Sequence, residues 1–162
     1  MSADNTQTIK WYIDSSFAVH KDMRSHTRAI MTLGQGAIIS DLTKQKVNAR
    51  SSTESKMIAI NDTLSQILCT KRFIEAQGHT VNENIVYQDN TSAMKLEMNS
   101  KTSSGKRTRH FDIKFFYFTD LIKREEIQIK YCPTEEMIAD FMTKPLVGTK
   151  YISLSNQILD AG

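Results

Sequence analysis

The chain has 162 residues, a formal net charge of +3, 40% hydrophobic residues and 24% charged residues. That length suits one domain with a real core rather than two, and the composition is ordinary for a soluble globular protein. No apolar run is long enough for a transmembrane helix, the start lacks the apolar core of a signal peptide, and neither a disulfide framework nor a zinc-ligand spacing is present.

Residues 1–7 read as a polar leader or boundary and 8–160 as the single domain. Cys69 and Cys132 form no CxxC pair, which fits a reduced, intracellular protein. The mild net charge is unevenly spread. Lys44, Lys46 and Arg50 fall in one short stretch, and Lys101, Lys106, Arg107, Arg109 and Lys114 in another. Local basic clusters on a near-neutral domain suit a polyanion, although solvated loops give the same pattern.

Thr8 to Asp14 alternates as a strand and ends at Asp14, after which Ser15-Ser16 turns. An Asx turn is the local alternative for Asp14. Arg28 to Leu33 and Ala37 to Leu42 are strand candidates joined by Gly34-Gln35-Gly36, so the first half reads as an antiparallel meander. Ser51 opens the longest helix, which runs to about Gln77 and stops at Gly78, with Met57, Ile60, Leu64 and Ile67/Leu68 as its buried stripe. Glu54 prolongs that stripe, but Ser51-x-x-Glu54 also fits a capping box, and on local grounds the cap comes first. Asn84 to Asp89 is a second strand ending in aspartate, and Asn90 to Met98 a following helix that Asp89 is able to cap.

Lys106 onward begins another helix, with Phe111, Phe115, Phe118 and Ile122 as its apolar stripe. Arg107, His110, Lys114 and Tyr117 share a different face, either a solvated basic side or one that tracks phosphates. Ile127 to Tyr131 alternates as the last strand. Thr134 is then expected to cap a short helix stopped by Pro145, in which Asp140 interrupts the apolar run Met137, Ile138, Ala139, Phe141, Met142. An exposed polar position explains Asp140 as well as a buried functional one. Gly148 to Leu159 reads as a closing helix.

This order of elements predicts an α/β (α+β) fold: a mixed sheet with helices packed on it. Strand ends and helix N-termini can converge in such a fold, bringing Asp14, Glu54, Asp89 and Asp140 together. Four like charges repel unless cations neutralise them, and hard oxygen ligands without a Cys/His cluster point to Mg2+ or Mn2+. Two such ions can activate a water and stabilise the leaving oxygen in phosphodiester cleavage.

The ordered set Asp14-Ser-Ser, Ser-Ser-Thr-Glu54, Tyr-Gln-Asp89-Asn-Thr-Ser-Ala, Arg107-Thr-Arg-His110-Phe-Asp-Ile-Lys and Ile-Ala-Asp140-Phe-Met-Thr-Lys-Pro-Leu closely resembles the ribonuclease H domain of copia-type LTR retrotransposon polyproteins. The resemblance runs from about Trp11 to Leu146. It implies the five-stranded RNase H fold with helices on both faces and cleavage of the RNA strand of an RNA–DNA hybrid. It also implies a reverse transcriptase in the same polyprotein as partner, and a cytoplasmic, virus-like-particle or nuclear setting. Asp14, Glu54, Asp89 and Asp140 become the acids for two Mg2+ ions, with Mn2+ able to substitute. Under this reading Ser16, Ser52 and Asn90 are candidates for ribose 2′-hydroxyls, and Lys44, Lys46, Arg107, Arg109, His110 and Lys114 for the nucleic-acid backbone. The isolated domain is expected to be a monomer with no membrane partner.

Departures from the family pattern are a loop before Asp140 without histidine, Arg28 where the family often has Gly, and Lys56 where it often has an acid. Neither Arg28 nor Lys56 is expected to touch the four acids. A hybrid-binding module without cleavage keeps the same fold, and a DNA-directed nuclease or strand-transferase shares the acid arrangement. An adaptor that binds no nucleic acid leaves the acids unexplained.

Overall fold

The computed structural model describes residues 7–18, 21–34, 36–91, 93–94 and 109–142, with isolated positions 149, 152, 155 and 156; of 109–115, 141 and 142 it describes the backbone alone. Five strands, β1 (Thr8–Ser16), β2 (His26–Thr32), β3 (Ala37–Lys44), β4 (Glu83–Gln88) and β5 (Gln128–Tyr131), form one sheet in the order β3-β2-β1-β4-β5. β1 pairs antiparallel with β2, and β2 with β3, as the meander predicts. The Gly34-Gln35-Gly36 link works because Gly34 and Gly36 both adopt positive φ, which costs a glycine little. β4 adds parallel to β1, and β5 parallel to β4, so the sheet is mixed. Each parallel step needs a crossover connection: helix α1 (Ser52–Ala76) precedes β4 and helix α2 (Arg109–Lys123) precedes β5.

Side chains of successive strand residues point to opposite faces, and that alternation builds two layers. Ile9, Trp11 and Ile13 of β1, Ala29 and Met31 of β2 and Val86 of β4 share one core with Ala59, Ile60, Leu64, Ile67 and Leu68 of α1 and Phe118 and Leu121 of α2. Trp11 is fully buried in it, and one such aromatic contributes about 3 kcal/mol by burial. Tyr12 and Tyr87, adjacent in the β1–β4 register, turn to the other face and stack with ring centroids 4.8 Å apart. There they cover Cys132 and Met137 together with Ala139 of a short 3-10 helix at Ile138–Met142.

Most boundaries fall within two residues of the sequence reading. α1 begins after the Ser51 N-cap and ends before Gly78, whose φ of +88° closes it. Two local expectations are corrected. Thr134 caps no α-helix: residues 134–136 form a turn, and the next element is the 3-10 helix. Asp89 is not the cap of the helix after β4, because Asn90 Oδ1 accepts from the Ala93 amide at 3.0 Å. Phe111 and Phe115 have side chains outside the described residues, as does most of the predicted closing helix, whereas Phe118 is buried as the stripe requires.

Candidate active site

The ends of β1 and β4 are neighbours because the two strands run parallel, so Asp14 and Asp89 leave the same edge of the sheet. Asp14 shares the face of Tyr12, the side on which the 3-10 helix lies, and that helix delivers Asp140. Asp14 is 4% exposed and Asp140 is 0% exposed, so Asp140 is not a surface position on a short helix. A carboxylate buried this deeply is costly unless paired.

The pairing comes from the chain itself. Arg28, 2% exposed, lies directly opposite Asp14 in the β1–β2 register. Its Nη1 donates to Asp14 Oδ2 at 3.1 Å and lies 3.7 Å from Asp140 Oδ1. Lys56 reaches in from the first turns of α1, with Nζ 2.9 Å from Asp14 Oδ1 and in direct contact with Asp89 Oδ1. Arg28 and Lys56 therefore touch three of the four predicted acids, which overturns the expectation that neither would. The sequence carried a signal for both: a lone cation opening the apolar run Ala29-Ile30-Met31, and a lysine within the buried side of a helix.

The electrostatics follow from burial and partners. Burial alone pushes the Lys56 ammonium towards neutrality, but Asp14 and Asp89 outweigh it and hold its pKa above the ordinary value. Burial pulls the Arg28 pKa below its usual value, against the opposing pull of Asp14 and Asp140. Nearby, burial with Glu136, Asp89 and Asp140 raises the Cys132 thiol to about 11. Burial with Tyr87, Cys132 and Glu136 raises Tyr12 to about 12.

Glu54 is engaged at the start of α1. Its amide donates to Ser51 Oγ at 3.1 Å, and its own Oε2 accepts from the Arg50 amide at 2.6 Å. That is the reciprocal arrangement of a capping box, shifted back by one residue. The structure thus brings Asp14, Asp89 and Asp140 together through Lys56 and Arg28, and holds Glu54 in the local role that the sequence also offered.

The predicted nucleic-acid positions divide three ways. Ser16 ends β1 half-buried, two residues past Asp14, and Ser52 opens α1 exposed. Asn90 spends its side chain internally, accepting from Ala93 and donating to Thr53 Oγ1 at 3.4 Å. Lys44 is exposed at the end of β3 and pairs with Asp22 at 2.8 Å, while Lys46 is exposed in the following loop. Arg107 lies outside the described residues, and so do the side chains of Arg109, His110 and Lys114. Thr134, absent from the expected site, donates to Asp89 Oδ2 at 3.5 Å.

The donor set of hard carboxylate oxygens suits a divalent ion. The places between those oxygens are taken by an ammonium and a guanidinium, and among the described residues no three potential ligands stand in a metal-holding arrangement.

The fold and sequence have clear relatives. The chain is 32% identical over 144 residues to the retrovirus-related Pol polyprotein from transposon TNT 1-94 of Nicotiana tabacum, a match covering 88% of this chain and 11% of that polyprotein. It is 27% identical over 156 residues to the corresponding polyprotein from transposon RE1 of Arabidopsis thaliana, covering 95% of this chain and 10% of the relative. This chain is a retrotransposon Pol relative. It spans about a tenth of the length of the curated Pol polyproteins it matches. No protein-family model matches it. Among solved structures, the Pol-related chain superposes on LC11-RNase H1 in complex with an RNA/DNA hybrid with a TM-score of 0.56 at 10% identity, over 95% of this chain and 98% of that one. It also superposes on the prototype foamy virus protease-reverse transcriptase with a TM-score of 0.56 at 8% identity, over 97% of this chain and 21% of that one. The fold is that of RNase H.

Proposed function

We propose that this chain is the ribonuclease H region of a retrotransposon Pol polyprotein, an endoribonuclease that hydrolyses the RNA strand of RNA–DNA hybrids during reverse transcription. The observation that carries the reading is the convergence of Asp14, Asp89 and Asp140 at one sheet edge of an RNase H fold. Two buried aspartates and a third beside them that the chain must neutralise have no structural purpose that an apolar edge would not serve better.

Asp14 and Asp89 are the residues that would hold a divalent ion, Mg2+ or Mn2+, with Asp140 and Glu54 as further ligands. When bound, such an ion supplies an activated water at neutral pH and neutralises charge at the leaving oxygen. The chain's own groups do the rest. Thr134 orients Asp89 from the loop before the 3-10 helix. Lys44, Lys46, Arg107, Arg109 and Lys114 grip phosphates without reading sequence, and Ser16 and Ser52 are the hydroxyls offered to a ribose 2′-hydroxyl. Glu54 would join the ligands through its second oxygen, or by releasing the Arg50 amide that its Oε2 accepts from. A two-ion form of the chemistry needs both Lys56 and Arg28 withdrawn from the carboxylates. The reverse transcriptase of the same polyprotein is the partner that supplies hybrid.

A second reading is favoured by those same two cations: a hybrid-binding module that cleaves weakly or not at all when separated from its polymerase. Incubating labelled RNA–DNA hybrid with the purified chain in Mg2+, Mn2+ or EDTA separates the two. Metal-dependent cutting of RNA in the hybrid, and not in duplex RNA, is expected; salt-sensitive binding without cutting at any metal concentration overturns the nuclease reading in favour of the module.

A further inference from the structure

Lys56 and Arg28 hold the same carboxylates in physically different ways, and the difference bears on how many ions the site accepts. Resting on the reading of the aspartates as a divalent-ion site, we infer that Arg28 permanently fills one cation position and that Lys56 reversibly fills the other, so that the site takes a single divalent ion in competition with Lys56.

Arg28 is fixed by its backbone. Its Cα sits in the central part of β2, laddered to Asp14 of β1 on one side and to Leu42 of β3 on the other, and its side chain is 3% exposed. The guanidinium is wedged between Asp14 Oδ2 and Asp140 Oδ1, and its rigid planar fork has little freedom to leave them. To leave, it would have to abandon two buried carboxylates with no open route to water. Lys56 is mounted differently. It enters from the N-terminal end of α1 on a flexible four-carbon stem, and its ammonium contacts Asp14 Oδ1 and Asp89 Oδ1, oxygens of the two aspartates that would hold the ion. It is also the more accessible of the two, at 10% side-chain exposure. Retreat of that stem towards solvent opens the position without moving the sheet.

Charge balance gives the same count. Three carboxylates, those of buried Asp14 and Asp140 and partly buried Asp89, face two resident cations in the resting site. With Lys56 withdrawn, one divalent ion together with Arg28 neutralises the three aspartates. A second divalent ion beside Arg28 would leave two uncompensated positive charges, or one if Glu54 also joined, against the buried side of the cluster formed by Asp14 and Asp140.

Mn2+ titration of the folded chain, followed by electron paramagnetic resonance or calorimetry, tests this directly, with circular dichroism confirming the fold of each variant. The wild type is expected to bind one Mn2+ weakly. Lys56→Gln is expected to bind one Mn2+ at least about tenfold more tightly, and Arg28→Gly to accept two. Should Arg28→Gly fail to fold, the Lys56→Gln comparison decides alone, supported by a larger Mn2+-induced rise in melting temperature than the wild type shows. Two ions bound by the wild type, or unchanged affinity in Lys56→Gln, overturn the inference, and cleavage of hybrid by the same preparation leaves the nuclease reading standing. No Mn2+ bound by any folded variant, together with no cleavage, overturns both.

Discussion

Arg28 stands directly across the β1–β2 ladder from Asp14, and its guanidinium donates to the Asp14 carboxylate at 3.1 Å in a setting that excludes solvent. The pair joins the candidate active site to the stability of the sheet. Replacing Arg28 by Met keeps the volume but removes the guanidinium from both Asp14 and Asp140. Removing one member of a buried ion pair costs about 3–5 kcal/mol. Urea unfolding of Arg28→Met in EDTA should show that loss as a lower midpoint with an unchanged slope. A midpoint equal to wild type would mean that the pair contributes nothing.

Asp89 sits at the mouth of the cluster, held by Lys56 and Thr134. Asp89→Asn keeps the shape and the hydrogen bond from Thr134 but removes the charge. The variant is expected to fold, to bind hybrid, and to lose nearly all metal-dependent cleavage. Substantial cleavage retained in Mg2+ would remove Asp89 from the site.

Glu54 and Ser51 close the start of α1 reciprocally. Ser51→Ala should cost about 1 kcal/mol of stability, the usual worth of an N-cap hydroxyl. Because Glu54 is engaged in the cap, Glu54→Gln should reduce hybrid cleavage less than Asp89→Asn does. Equal losses in side-by-side single-turnover assays would show that Glu54 leaves the cap to act with the aspartates.

Tyr12 and Cys132 lie together beneath the 3-10 helix, pushed up to about 12 and about 11 by burial and by neighbouring acidic groups. Both are neutral when protonated, so a raised folded-state pKa means that folding favours the protonated form. Their contribution is fully present below pH 9, the ordinary thiol value, and is lost as pH climbs through 11 and 12. Thermal melts should therefore fall progressively above pH 9. In alkylation at pH 8, exposed Cys69 should react while buried Cys132 stays protected until the chain unfolds. Equal labelling rates for the two thiols in the native protein would contradict this placement.

The alternating pattern of Thr8 to Asp14, the Gly-x-Gly link and the long stripe from Ser51 to Gly78 were enough to place β1, the β2–β3 hairpin and α1, because each is written in local periodicity and local turn chemistry. The positions of Asp14, Asp89 and Asp140 within those elements were legible for the same reason, and so was the capping of Glu54. What the chain order left open was whatever depends on how elements meet. Burial of Asp140 follows from a 3-10 segment laid against the Tyr12 face rather than from the segment's own composition. The choice of Asn90 over Asp89 as cap turned on one residue of strand length. Above all, Arg28 lies 14 residues from Asp14, and Lys56 lies 33 from Asp89. A sequence can mark a cation in an apolar run as unusual, but only antiparallel register and the docking of α1 bring that cation within reach of a carboxylate.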